Sequence, residues 1–362
     1  MNYYFHIPFC RSKCGYCAFY SEPAPASDLI DRYLDHLERQ LAEHPLPPAE
    51  TVYLGGGTPT LLSLPQLERL FDLLRRFLTA GSDCEISIEA NPETLDEAKV
   101  ALLRENVTRI SLGVQSFSAA RRDILGRRCG DEALSRALCL LGKAGFPHWN
   151  IDLIYAIPGE NAADWRDDLI RAADTGIDHL SCYSLTPEEN SRLGASFAVD
   201  DELSAEMYEM IPDILAPYGI RRYEISNYSR PGSECRHNLN VWRGGLLHGF
   251  GPSAAGFDGR DRMTEAGNLV EWLAGAPPET DRISRPARSA EIFAVNLRTV
   301  GGWTPELWAK VPGADPWEAR LAAVEKVRNN MPGSWWKISP RRIKLSDEGL
   351  VFWNDIAEAM LI

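Results

Sequence analysis

Cys10, Cys14 and Cys17 crowd three thiols into the stretch CRSKCGYC, close to the start of the chain. Thiolates are ligands for soft metals, and bunching of this kind is how metal ligands are set out. The flanks, HIPF before and AFY after, are apolar. A closed zinc site takes four protein ligands, and an ordinary iron–sulfur cluster takes four cysteines. Three ligands on a four-iron cluster leave one iron open to a substrate or cofactor. The alternatives are a zinc site completed by His6, His36 or Cys235, or plain structural cysteines. Cys84, Cys139 and Cys182 lie in apolar or strand-like contexts and read as small buried hydrophobes. Eight cysteines in a chain of 362 residues do not suggest a disulfide framework.

Several other polar residues stand where strands end. Glu89 closes ISIE, Gln115 follows ISLGV, Arg127 lies in LGR, and Asp152 sits inside the apolar NIDLIYAIP. An ionised carboxylate within such a strand is costly unless paired, so Asp152 points to a ligand or partner. Arg127 reads equally as a solvated helix face. Arg121, Arg122, Arg127 and Arg128 together form a basic patch able to hold an anion. GGGTPT follows the second strand, where glycines admit close backbone approach. The Gly-Lys-Ser/Thr ending of a phosphate loop is absent.

The elements that must position these groups are short β-branched or aromatic runs alternating with longer helical patterns. The strands expected are Tyr3–Ile7, Thr51–Leu54, Glu85–Glu89, Arg109–Leu112, Trp149–Ile154 and His179–Ser184. Leu29, Tyr33, Leu37 and Leu41 recur at steps of four between the first two, and Ser63 with Pro65 opens the next helix. Six strand–helix units make an α/β fold, a barrel or partial barrel. After Ser184 the pattern loosens. A Gly-rich polar stretch runs from Asn227 to about Arg262, and GAPPETDRISRPARS reads as a linker or long loop. The tail reads as strand, turn at Gly349, strand and helix, a small C-terminal α/β or winged-helix-like domain. The boundaries expected are 1–225, 226–285 and 286–362.

The net charge of −13 argues against sequence-independent nucleic-acid binding. No run of 18 apolar residues is present, so nothing is expected to span a membrane. NYYFHIPF runs as a strand into the cysteines without a signal-peptide pattern, and a cytoplasmic protein is expected.

CxxxCxxC after the first strand resembles the signature of radical S-adenosylmethionine (SAM) enzymes. YFHIPFCRSKCGYCAFYS, LGGGTPTLL, SIEANPETL, SLGVQSFSAARRDILGR, NIDLIYAIPGE and YEISNYSRPGSECRHNLNVW resemble one branch of them. That branch contains oxygen-independent coproporphyrinogen III oxidases and heme chaperones. The resemblance implies a partial (β/α)6 barrel carrying a [4Fe–4S] cluster on Cys10, Cys14 and Cys17, with SAM on the fourth iron. It further implies SAM contacts from Tyr4, Gly56, Gly57, Thr58, Glu89, Gln115, Arg127 and Asp152. Tyr4 reads otherwise as a core aromatic.

The oxidases extend the motif to CxxxCxxCxC and usually carry an additional N-terminal stretch. Here Phe19 takes the fourth cysteine's position, as in the chaperones, or serves as a core residue. HNLNVW resembles the chaperones' HNxxYW, a stretch associated with heme, so His237 and Trp242 become heme contacts; Val241 replaces the aromatic, and Cys235 is another axial candidate. Cys129 stands where LGRxH relatives have histidine, Ala156 where glycine is common, Glu160 where glutamine is, and LTPEENS departs from the usual Gly-containing loop. Cys129 is expected to be inert. The expectation is a heme chaperone delivering heme to respiratory proteins at the membrane, as monomer or homodimer. The competing class is the oxidase, and a more distant one is a radical SAM enzyme acting on another tetrapyrrole.

Overall fold

The computed structural model of the protein describes residues 1–43, 46–79, 83–186, 188, 191–194 and 200–361. Six strands, β1 (Asn2–Ile7), β2 (Thr51–Gly56), β3 (Glu85–Ala90), β4 (Arg109–Gln115), β5 (His148–Tyr155) and β6 (His179–Ser184), lie side by side in chain order, all parallel. They are connected through α1 (Ser27–Glu43), α2 (Leu64–Leu74), α3 (Glu97–Asn106), the pair α4 (Ala119–Ile124) and α5 (Asp131–Ala144), and α6 (Ala162–Asp174); α7 (Asp201–Leu215) follows β6. This is the expected α/β architecture, a partial barrel of six units.

Side chains alternate across each strand with a period of two, and here both sets matter. Tyr3, Phe5 and Ile7 of β1, Val52 and Leu54 of β2, and Ile110, Leu112 and Val114 of β4 are buried in the core that the helices cover. Leu34, Leu37 and Leu41 of α1 and Leu67, Leu70 and Leu74 of α2 supply its other side. The intervening residues point the other way and are polar: Asn2, Tyr4 and His6; Thr51 and Tyr53; Glu85, Ser87 and Glu89; Arg109 and Ser111; Asn150 and Asp152; His179, Ser181 and Tyr183. Their mutual hydrogen bonds place them in a polar lumen.

The sheet continues past both barrel edges to twelve strands. β7 (Asn227–Ser229) runs antiparallel to β6, and the two-residue strand Arg221–Arg222 runs antiparallel beyond it at the edge. β8 (Leu247–Phe250) lies parallel to β1, and β9 (Ala255–Phe257), β10 (Arg262–Thr264) and β11 (Glu279–Asp281) extend it as an antiparallel meander. The stretch expected as a linker, 275–289, therefore holds an edge strand and the start of a helix over Arg285–Asn296.

A second core gathers Phe293, Trp303, Trp308, Val324, Ile343 and Ile356 in the C-terminal part. It includes a two-stranded antiparallel ribbon, Trp336–Ser339 with Arg342–Leu345, among short helices, consistent with a small winged-helix-like domain. Gly349 is not a turn between strands. It lies inside the helix Asp347–Val351, buried where a Cβ would collide with the backbone of Trp335, and a helix, Trp353–Leu361, follows in place of the second strand.

Two further expectations need correction. Cys84 and Cys182 are buried, but Cys139 is exposed on the outer face of α5. The four arginines do not form a patch: Arg122 is buried on the carbonyls of Ser116 and Cys129 and on Asp131, and Arg121 faces Glu160 and Asp164. Among the described residues no helix is long and apolar enough to cross a membrane.

Ala156 has φ +59°, a left-handed conformation that an alanine side chain disfavours and glycine does not. Restoring the common glycine, Ala156→Gly, is expected to stabilise the fold by about 1 kcal/mol. Urea denaturation of the two proteins checks it.

Candidate functional site

The cysteine loop leaves β1 at the C-terminal end of the barrel, where parallel barrels carry their sites. The loop is tied down on three sides. Phe9–Cys10 pairs with Glu22–Pro23 as a short parallel ladder. Gly15 N–H donates to Leu125 O at 2.8 Å, just beyond α4. The turn after β2 then docks underneath, Gly57 N–H donating to Ile7 O at 2.9 Å and Thr58 N–H to Phe9 O at 2.7 Å.

That docking explains the glycines. A Cβ on Gly57 would stand 2.7 Å from Phe9 O and 2.8 Å from Ile7 O. Gly56 has φ +103°, and its Cβ would meet the His6 ring. Both glycines are demanded by the protein's own backbone before any ligand arrives. Thr58 is buried; its hydroxyl approaches Cys10 Sγ at 3.7 Å and accepts from Asn91 Nδ2 at 2.8 Å.

Burial raises the Cys10 and Cys17 thiols above their ordinary range, and the neighbouring cysteines push the same way. Among the described residues no three His, Cys, Asp or Glu side chains close on a common point as for a single metal ion. A four-iron cluster binds each thiolate to a different iron, so its ligands need not converge in that manner. The zinc alternatives fare poorly. His6 uses Nε2 on Tyr20 O at 2.9 Å and Nδ1 on the Tyr4 hydroxyl at 3.1 Å. His36 packs on Trp272 from α1, and Cys235 lies beneath the lumen.

Arg127 is no solvated helix residue. It is buried, with Nη1 3.8 Å from Cys14 Sγ and Nη2 donating to Asn91 Oδ1 at 2.6 Å and Gly113 O at 2.5 Å. Its Nε has no hydrogen-bond partner among the described residues. Gln115 joins it through a bulge: the β4–β5 register slips between Gly113 and Gln115, and Gln115 has φ +71°. A Cβ on Gly113 would lie 2.9 Å from the Gln115 amide and 3.1 Å from Arg127 Nη2. Tyr16, between the last two cysteines, stands in the same electrostatic neighbourhood as Arg127, Cys14 and Asp152, and sequence reasoning missed it.

Below lies an acid pair. Glu89 accepts from Tyr53 Oη and from Gly56 N–H, both at 3.0 Å. Asp152 accepts from Ser111 Oγ at 2.9 Å and Asn150 Nδ2 at 2.7 Å. Burial, then the charge of Asp152, pushes Glu89 up to about 7; burial also raises Asp152, against its hydrogen bonds. Among the described residues neither acid forms an ion pair. Two half-buried acids, Asp152 also drawn down by the charge of Arg127, fit a cationic ligand. Tyr4 faces them, its ring 6.2 Å from that of Tyr53, and burial, then the charge of Glu89, holds its hydroxyl protonated.

The structure thus brings Tyr4, Cys10, Cys14, Cys17, Gly56, Gly57, Thr58, Glu89, Gln115, Arg127 and Asp152 to one end of the lumen. His237 and Trp242 are not there. α8 (Arg236–Trp242) closes the opposite end, beneath the first residues of β2 and β3. His237 is 5% exposed, its Nδ1 2.8 Å from Thr51 Oγ1 and its ring 5.1 Å from Tyr53. Burial lowers its pKa to about 4. Trp242 packs against Arg298, whose guanidinium lies 4.6 Å from its ring and bonds Glu224 at 2.8 Å. In this arrangement the buried His237 is not presented to a macrocycle approaching from outside, while Trp242 is half-buried. Phe19 is no core residue: it is 68% exposed, two residues beyond Cys17. Cys129 is buried with a raised pKa, as an inert thiol would be. LTPEENS lies partly outside the described residues.

Residues 4–172 match the radical SAM superfamily model. A heme chaperone HemW from Synechocystis is 33% identical over 87% of this chain and 81% of its own length. One from Lactococcus lactis is 31% identical over 99% and 97%, and one from Escherichia coli 37% identical over 71% and 70%. The chain belongs to the HemW family of the radical SAM superfamily. The HemW assignment sits beside a fold likeness to the coproporphyrinogen III oxidase HemN from Escherichia coli, TM-score 0.84 at 22% identity, covering 99% of this chain and 89% of that one. The HemN-like branch and the barrel read from the motifs are both borne out.

Proposed function

We propose that this HemW-family chain is a heme chaperone: it holds a [4Fe–4S] cluster on Cys10, Cys14 and Cys17, binds SAM in the upper lumen, and passes heme from the cytoplasm to respiratory proteins at the membrane. The observation that carries the reading is Phe19, exposed where the oxidases place a fourth cysteine, in a chain whose long relatives are heme chaperones. When bound, the cluster and SAM supply one-electron reductive chemistry. The protein's own residues do the rest. Glu89 and Asp152 offer negative charge and acceptors to an ammonium and a ribose diol, and Arg127 offers donors to a carboxylate. Thr58 and Arg127 reach the Cys10 and Cys14 sulfurs and hold the loop in place. The floor formed by α8 shuts the lower lumen against water.

Anaerobic heme titration of the cluster-reconstituted protein, followed by Soret absorbance, tests the reading. Saturable uptake near one heme per chain is expected; its absence sinks heme carriage. Uptake is expected to survive His237→Ala, because His237 belongs to the floor.

Glu89 gives a pH test. Its pKa is raised to about 7, so the anion that attracts an ammonium fills in as pH rises from 6 to 8. SAM affinity is expected to rise several-fold over that range, and Glu89→Gln to flatten the rise. Equilibrium dialysis with labelled SAM measures both; an unchanged slope in the variant would remove Glu89 from the ammonium's surroundings.

A further inference from the structure

The ribbon of the C-terminal part, Trp336–Ser339 with Arg342–Leu345 and the turn between them, carries Lys337, Arg341, Arg342 and Lys344 and no acidic residue, in a chain of net charge −13. Its two faces differ. Trp336, Ile343 and Leu345 are buried in the second core. Lys337 stands opposite Lys344 and Ser339 opposite Arg342 in register, so these four share the other face. Lys337, Ser339 and Arg342 are exposed, and Lys344 is half-buried beside Gly302. Like charges directly opposite each other destabilise a ladder, and here two lysines are paired in that way. Among the described residues none of Lys337, Arg342 and Lys344 joins an ion pair. The acids close by in sequence or space are engaged elsewhere. Asp347 lies 3.7 Å from Arg222, Glu348 accepts from Trp335 Nε1 at 3.2 Å, and Glu306 lies within the field of Arg341 at the turn.

Aromatic rings flank the same ribbon. Trp317 donates through Nε1 to Pro340 O, at the turn, at 3.0 Å. Trp335, which precedes the first strand, stacks on Phe352 with centroids 4.3 Å apart. Both tryptophans are half-buried with their N–H groups satisfied within the chain, so they offer ring surface rather than donors. We propose that this ribbon is a docking face for an anionic lipid surface. Lysine and arginine beside tryptophan is the composition of a protein edge that rests among lipid headgroups. A flat bilayer meets this one face, and beyond a Debye length of about 8 Å it no longer repels the acidic remainder of the chain. The proposal deepens the delivery reading above, on which the choice of a membrane over another polyanion also rests.

The test is co-sedimentation of the full chain with vesicles of phosphatidylglycerol and phosphatidylcholine, beside vesicles of phosphatidylcholine alone. Binding is expected on the anionic vesicles and is expected to be lost in high salt. Each cation near such a surface is worth about fivefold in partitioning, so Lys337→Gln with Arg342→Gln is expected to weaken binding about twentyfold. Lys143→Gln with Arg166→Gln removes the same charge from exposed positions on α5 and α6, and is expected to stay within about twofold. Circular dichroism checks the fold of each. Heme uptake, read by Soret absorbance, is expected to be unchanged in the ribbon variant. A parent that takes up no heme would sink the delivery reading, whereas the docking face stands or falls on the vesicles. A parent that ignores anionic vesicles, or equal losses in the two double variants, would overturn it. Ribbon-dependent binding to a random-sequence DNA duplex or to polyglutamate in place of vesicles would overturn it as well.

Discussion

Glu85→Ala is expected to destabilise the protein by about 3–5 kcal/mol, because it strands a buried charge. Glu85 is buried at the floor of the lumen on β3. Its carboxylate accepts from the backbone N–H groups of Arg236 and His237 at 3.1 and 2.9 Å, from Cys235 Sγ at 3.6 Å, and faces Arg109 Nε at 3.4 Å. It therefore caps the start of α8 and neutralises a buried guanidinium at once. Arg109 Nη1 has no hydrogen-bond partner among the described residues, and Nη2 is left with the carbonyls of Ser233 and Glu234, neutral acceptors that do not replace the lost charge. Glu85→Gln keeps an acceptor without the charge and is expected to cost less. Urea denaturation of the three proteins gives the ranking; equal midpoints would show that α8 holds the floor without Glu85.

Gly57→Ala is expected to lose most of the iron–sulfur cluster while the barrel stays folded. The added methyl would press on the backbone oxygens of Ile7 and Phe9 rather than on a side chain that can rotate away. Relief requires the turn after β2 and the cysteine loop to part, which breaks the bonds from Gly57 and Thr58 that seat Cys10. Iron and acid-labile sulfide per chain after anaerobic reconstitution, beside a circular dichroism spectrum, measure the effect. A full cluster complement in the variant would mean the loop is held by its other ties, at Glu22–Pro23 and Leu125.

Much of this was legible in the residues. All six barrel strands stood where β-branched and aromatic runs stood, because each is buried on its outer face by helices with matching periodicity. The cysteine motif, Glu89, Gln115, Arg127 and Asp152 arrived at one mouth because parallel strands bring all their C-terminal ends together. The lower lumen was not legible. Thr51, Tyr53, Glu85, Arg109, Asn150 and His179 are polar residues inside strands, and their alternation was the available signal. What they face depends on barrel closure, a long-range event. His237 was misplaced for the same reason: a polar motif after the barrel looks like a surface loop until Thr51 and Glu85 are known to wait beneath β2 and β3. Gly349 signalled a turn, whereas it serves close packing of a helix on Trp335.

The HemW-family reading meets its most direct test in heme transfer. Heme-loaded, cluster-containing protein is mixed anaerobically with membranes whose respiratory cytochromes lack heme, and the reduced cytochrome bands are followed. A parallel reaction supplies coproporphyrinogen III, SAM and a reductant. The cytochrome bands are expected to appear while coproporphyrinogen III is left unconsumed. Decarboxylation of coproporphyrinogen III without any transfer of heme would contradict that reading.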